Sequence, residues 1–102
     1  MDQVRREVDI EAPPDEVWEA LCTEDGREAW LEPDPQREIE VEAQEAPDRL
    51  VWWWWHGDEQ PRKVELQVIG VPWGSRVIVT ETQPVFPLPA LCAAFARMPA
   101  LV

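Results

Sequence analysis

A single α+β domain, built on an antiparallel sheet with short helices inserted after the first strand and appended at the end, is the fold class that residues 1–102 predict. Three observations carry it. Apolar residues alternate over Val4 to Ile10, recur at helical spacing from Val17 to Leu31, and alternate again between Arg37 and Thr82. The later alternating runs are separated by turns of about four to seven residues, the spacing of an antiparallel meander. Prolines 84, 87 and 89 then force an extended approach to an Ala-rich segment with helical propensity.

In the first strand Val4, Val8 and Ile10 alternate with Arg5, Glu7, Asp9 and Glu11, and Arg6 falls on the apolar face. Pro13 and Pro14 end it because neither can donate to a ladder. Pro14 suits the first turn of a helix, with Asp15 and Glu16 at the positive end of its dipole. Val17, Trp18, Ala20 and Leu21 supply that helix with an apolar stripe to about Cys22. Thr23 can cap a second short helix, which ends at Trp30 and Leu31 before the breakers of EPDP. In the second strand Ile39 and Val41 oppose Glu38, Glu40 and Glu42, and the turn Ala46-Pro47-Asp48 leads into the strongly β-prone run Leu50 to Trp55. After HGDEQP, Val64, Leu66 and Val68 alternate with Lys63, Glu65 and Gln67. Gly70 to Gly74 turns the chain into Arg76 to Thr82, where Val77 and Val79 oppose Ile78. Ala90 to Met98 is the expected terminal helix, burying Leu91, Cys92 and Phe95.

Composition excludes several functions. The chain carries 21 Asp+Glu against 9 Lys+Arg, a net charge of -12, so it lacks the basic face that nucleic acid or an anionic membrane requires. The apolar runs Leu50 to Trp55 and Ala90 to Ala96 are both far shorter than the roughly twenty residues of a membrane span. With no apolar stretch near Met1, a cytoplasmic location is expected. Cys22 and Cys92 lack paired metal-site spacing and read as reduced, packed thiols, so neither a metal nor a cofactor is expected. His56, the sole imidazole, lies beside Gly57 and Asp58 and reads as a solvated turn residue. Ser75 is the sole serine, and no nucleophile, base and acid stand together in sequence.

The segments VRREVDIEAPPDEVWEALCTEDGREAWL, EAPDRLVWWW and GSRVIVTET, in that order, carry a family resemblance. The chain resembles the START-like helix-grip superfamily, in particular the SRPBCC proteins similar to the C-terminal domain of the heat-shock-protein ATPase activator. The resemblance implies an antiparallel sheet wrapped around a C-terminal helix. Here the strand usual between the second helix and Glu38 is missing and the terminal helix is short. It also implies that Leu50, Trp52 and Trp54 face inward and that Val51, Trp53 and Trp55 face outward.

Two readings attach to each group. Trp52 and Trp54, with Trp18, Trp30 and Phe95, either fill the reduced interior or line a cavity for a small hydrophobic or aromatic ligand. Arg6 and Glu81 are polar groups near that cavity, as a ligand anchor or as a structural ion pair. Trp53 and Trp55 either make a partner interface, as in a homodimer, or lie under long charged side chains. Ligand binding is the leading expectation. A protein-interaction module with a chaperone partner, as the resemblance implies, is the alternative. A cyclase- or dehydratase-type enzyme ranks last, and Trp73 remains unassigned.

Overall fold

The computed structural model describes residues 3–96. Five strands, β1 (Val4–Ile10), β2 (Arg37–Glu45), β3 (Arg49–His56), β4 (Arg62–Val71) and β5 (Gly74–Glu81), form one antiparallel sheet in the order β1-β5-β4-β3-β2. Three helices, α1 (Pro14–Cys22), α2 (Glu24–Glu28) and α3 (Leu88–Ala96), complete it. Successive hairpins link β2 to β5. The first strand pairs with the last, so α1 and α2 carry the chain from one edge of the sheet to the other. This is the expected helix-grip arrangement with five strands.

Local chemistry sets the helix ends. Pro14 occupies the first turn of α1, and the Thr23 hydroxyl accepts from the Gly26 amide at 2.8 Å to cap α2. The expected second helix stops at Glu28, and Ala29 and Trp30 form a turn beyond it. Helix α3 begins two residues before the expected Ala90, because Pro89 in the first turn needs no amide donor. Arg97 and Met98 of the expected helix lie outside the described residues. Between β4 and β5, Gly74 has φ +144°, and its backbone passes so close to the Ile10 carbonyl that any Cβ would collide with it.

One face of the sheet carries the core. Leu50, Trp52 and Trp54 of β3, Val64, Leu66 and Val68 of β4, and Val77 and Val79 of β5 meet Val17, Leu21, Leu88 and Leu91 from the helices. Helix α3 packs against β1. The space over β3 is filled by Phe86, 1% exposed, whose ring centroid lies 5.3 Å from Trp30, 5.7 Å from Trp54 and 6.1 Å from Trp52. On the opposite face Val51 points outward as expected and is nevertheless fully buried. Its strand neighbours Arg49 and Trp53 flank it, and Arg49 Nε donates to Glu65 across the sheet at 3.0 Å.

The alternation of β2 breaks at a bulge between Val41 and Ala43: Val41 pairs with Trp52, whereas Ala43 pairs with Val51. Glu42 is the extra residue, and beyond it the strand reverses its faces. Val41, although paired with a core tryptophan, is 42% exposed at the sheet edge.

Candidate functional site

The pairing that positions a site runs across one end of the sheet. Trp54 of β3 pairs with Arg62 of β4 and Ile39 of β2, and His56 pairs with Arg37. Side chains directly opposite one another share a face, so Arg37, His56 and Arg62 stand with Trp54 on the helix-covered side. Above them lie Trp30 and Leu31, which follow α2, and Val85, Pro87 and Ala90, which lead into and begin α3. The two sides enclose an open cleft of about 440 Å³.

The cleft has an apolar wall and a charged rim. Trp30 is held by its indole N–H, which donates to the Ala20 carbonyl at 2.8 Å. At the rim Arg37 Nη1 donates to the Glu32 carbonyl at 2.7 Å, and Arg62 sits 3.6 Å from Glu59. His56 Nε2 lies 2.8 Å from Gln36 Oε1 and its Nδ1 3.6 Å from Asp34. Thus the histidine, expected as a solvated turn residue and exposed in the structure, also ties the α2–β2 loop to the end of β3. This arrangement can bury an aromatic or aliphatic body against indoles while charged groups orient its polar end. Ser75 lies at the other end of β4 from His56, buried and donating to the Ala12 carbonyl at 2.7 Å, so the two form no catalytic pair.

Of the residues singled out from sequence, Trp30 and Trp54 border the cleft together, and Trp55, expected on the outer face, borders it as well. Trp52 is packed inside with no exposed surface, its indole N–H buried without a partner. Trp18 is half-buried against the core, and Phe95 borders a separate shallow hollow beside Trp30. Arg6 and Glu81 form an ion pair at 2.6 Å. Arg6 also donates to the Phe86 carbonyl at 2.9 Å, and Glu81 accepts from the amides of Val85 and Phe86, each at 3.1 Å. The pair therefore clamps the segment that carries Phe86.

Sequence reasoning missed Arg37, His56 and Arg62 at the cleft, and Phe86 in the core. No local signal marks the first three, because they converge only through strand register. Phe86 had a faint one, an isolated aromatic between prolines. Burial pushes the Cys22 thiol up to about 11 and raises that of Cys92, which makes both poor nucleophiles.

The outer face holds a repeated arrangement. Trp53 donates its indole N–H to Glu42 at 2.7 Å, while Lys63 sits 5.8 Å from the Trp53 ring and 3.7 Å from Glu42. At the far corner Trp73 donates to Asp9 at 3.0 Å, while Arg76 lies 5.8 Å over the Trp73 ring and 2.8 Å from Asp9. The Arg76 hydrogen bond is the main reason that the Asp9 carboxyl is held below the usual carboxylate range.

No family model and no curated protein matches the chain. Solved structures do. CalU16 from Micromonospora echinospora matches with a TM-score of 0.71 at 17% identity, over 96% of this chain and 75% of that one. DynU16, of the dynemicin biosynthetic locus, matches at 0.67 and 25% identity; 94% of this chain aligns with 42% of that longer one. The Aha1 dimer from Colwellia psychrerythraea matches at 0.63 and 18% identity, over 90% and 85% of the two chains. With the strand order and helix placement above, these likenesses establish a START-like, SRPBCC-type helix-grip fold for this chain.

Proposed function

We propose that this protein binds a small aromatic or hydrophobic molecule in the cleft bordered by Trp30 and Trp54. The observation that carries the proposal is the cleft itself. Its volume of about 440 Å³ exceeds the roughly 300 Å³ at which ligand sites begin, and indoles border it where Arg37, His56 and Arg62 converge. The ligand lies between the sheet and the start of α3, displaced toward the sheet end because Trp52 and Phe86 occupy the interior. The likeness to DynU16, of a biosynthetic locus, supports a role for this fold in small-molecule chemistry.

Titration with the neutral probe N-phenyl-1-naphthylamine, followed by tryptophan quenching and probe emission, tests the reading. Saturable binding is expected. It should be lost in Trp54→Ala and in Ala90→Trp, the second of which fills the cleft without removing a core side chain. Absence of saturation across a panel of neutral aromatic probes, or equal binding by Ala90→Trp, refutes it.

A second reading, a protein-interaction module, draws on the likeness to the Aha1 dimer and on the outward Trp53 and Trp55. Sedimentation across a range of concentrations distinguishes self-association from a monomer.

A further inference from the structure

Both outer-face tryptophans with a carboxylate partner share one construction. An indole N–H donates to a carboxylate, and a cation spans that same carboxylate and the indole ring: Trp53 with Glu42 and Lys63, Trp73 with Asp9 and Arg76. Trp55 has carboxylates near it in register but, among the described residues, neither an indole hydrogen bond to one nor a cation over its ring. Glu38 stands directly across from it on β2, and Glu40 follows two residues on, yet among the described residues no Lys or Arg lies over the Trp55 ring. A groove of about 520 Å³, with Glu40, Trp53, Trp55 and Pro61 in its lining, opens beside it.

Strand β2 is also an edge of the sheet, with no strand paired along its outer side among the described residues. The other edge differs, since β1 pairs Arg5 with Glu7 at 3.2 Å and is close to neutral. On β2 the acidic side chains Glu38 and Glu40 repeat with the period of a strand and face outward together.

We propose that the β2 edge is a docking surface for an extended, basic segment of another protein, which adds beside β2 and places Lys or Arg residues at alternate positions against Trp55, Glu38 and Glu40. Backbone pairing gives such an added strand its affinity, and the alternate side chains give it specificity. A cation over the half-buried Trp55 indole adds a small attraction, and a second cation opposite the next glutamate adds another. A second copy of this chain fits the edge poorly, because it brings a net charge of -12 to an acidic strand. Trp55 borders both this groove and the cleft, whereas Trp54 and Ala90 line only the cleft, so loss of probe binding in Ala90→Trp leaves the peptide test standing.

The probe is an amidated (Lys-Thr)5 peptide, compared with Lys5Thr5 of the same composition and with (Glu-Thr)5. Binding is followed through the indole N–H resonances of the seven tryptophans in an isotope-labelled sample. The Trp55 and Trp53 resonances are expected to move with (Lys-Thr)5, less with Lys5Thr5, and not with (Glu-Thr)5. Trp55→Ala and the double variant Glu38→Gln/Glu40→Gln should each weaken binding about two- to fivefold. Glu11→Gln/Glu28→Gln, an equal change of net charge elsewhere, should leave it within a factor of about two.

Several results overturn the proposal. Equal weakening by the two double variants means that the peptide follows bulk charge. Equal binding of Lys5Thr5 removes the alternate pairing. A still Trp55 resonance places the peptide elsewhere. A dimer that dissociates in Trp55→Glu assigns the edge to a second copy.

Discussion

Replacing Glu81 by glutamine tests the clamp that carries the chain from β5 to α3. Glu81 is 3% exposed; one oxygen accepts from the Val85 and Phe86 amides and the other from Arg6 at 2.6 Å. A glutamine has a single acceptor oxygen. Turned toward the two amides, it sets its NH2 against the Arg6 guanidinium; turned the other way, it leaves two amides without an acceptor. Either choice orphans buried donors, at about 1–3 kcal/mol, and also removes the negative charge that Arg6 faces. Breaking a fully buried ion pair costs about 3–5 kcal/mol. The Arg6 side chain keeps 31% of its surface in water, which offsets part of that cost, so a loss of about 2–3 kcal/mol is expected.

For a domain near one hundred residues this lowers the melting temperature by about 10 °C and the urea midpoint by about 1–2 M. The assay is urea unfolding followed by tryptophan emission, repeated for Arg6→Met and for the double variant. Non-additivity of about 1 kcal/mol or more is expected between the two positions. A Glu81→Gln loss below about 1 kcal/mol, or strict additivity, refutes the clamp. Because Val85 and Pro87 border the cleft, weaker binding of the naphthylamine probe should accompany the lost stability.

Two further outcomes follow from the titrating groups. The Asp9 carboxyl is held down in the folded chain by Arg76, so its stabilising contribution is present above the ordinary carboxylate pKa and fades as pH falls through the depressed value. Asp9→Asn should therefore flatten the acid limb of a stability-against-pH curve, and an unchanged limb counts against the pairing. With the Cys22 thiol raised to about 11, an aromatic disulfide reagent at pH 8 should react about a hundredfold more slowly with it in native than in unfolded protein, and equal rates contradict its burial.

The strands and the first two helices were legible because each depends on neighbours in sequence. The proline pair after β1, Thr23 before α2 and the alternation in β4 and β5 act over a few residues, and the structure follows them. The departures arise where two distant segments must agree. The reversal of faces in β2 comes from a bulge set by how β2 meets β3. The segment leading into α3 is anchored by Arg6, which reaches Glu81 and the Phe86 carbonyl across more than seventy positions of chain, while Glu81 holds residues 85 and 86 from four and five positions away.

The candidate site divides in the same way. Trp30 and Trp54 were marked by bulk and position, but the cations beside Trp54 come from β2 and β4 and were invisible until strand register paired them. Sequence alone determined the fold class, the acidic outer rows and the division of the four consecutive tryptophans between two faces, since side-chain alternation is a property of the strand itself. Only the tertiary structure decided that Phe86 fills the interior, that the open space lies at the sheet end, and that Trp55 faces glutamates without a cation. Those outcomes depend on packing and register between residues far apart in the chain, which no short-range pattern encodes.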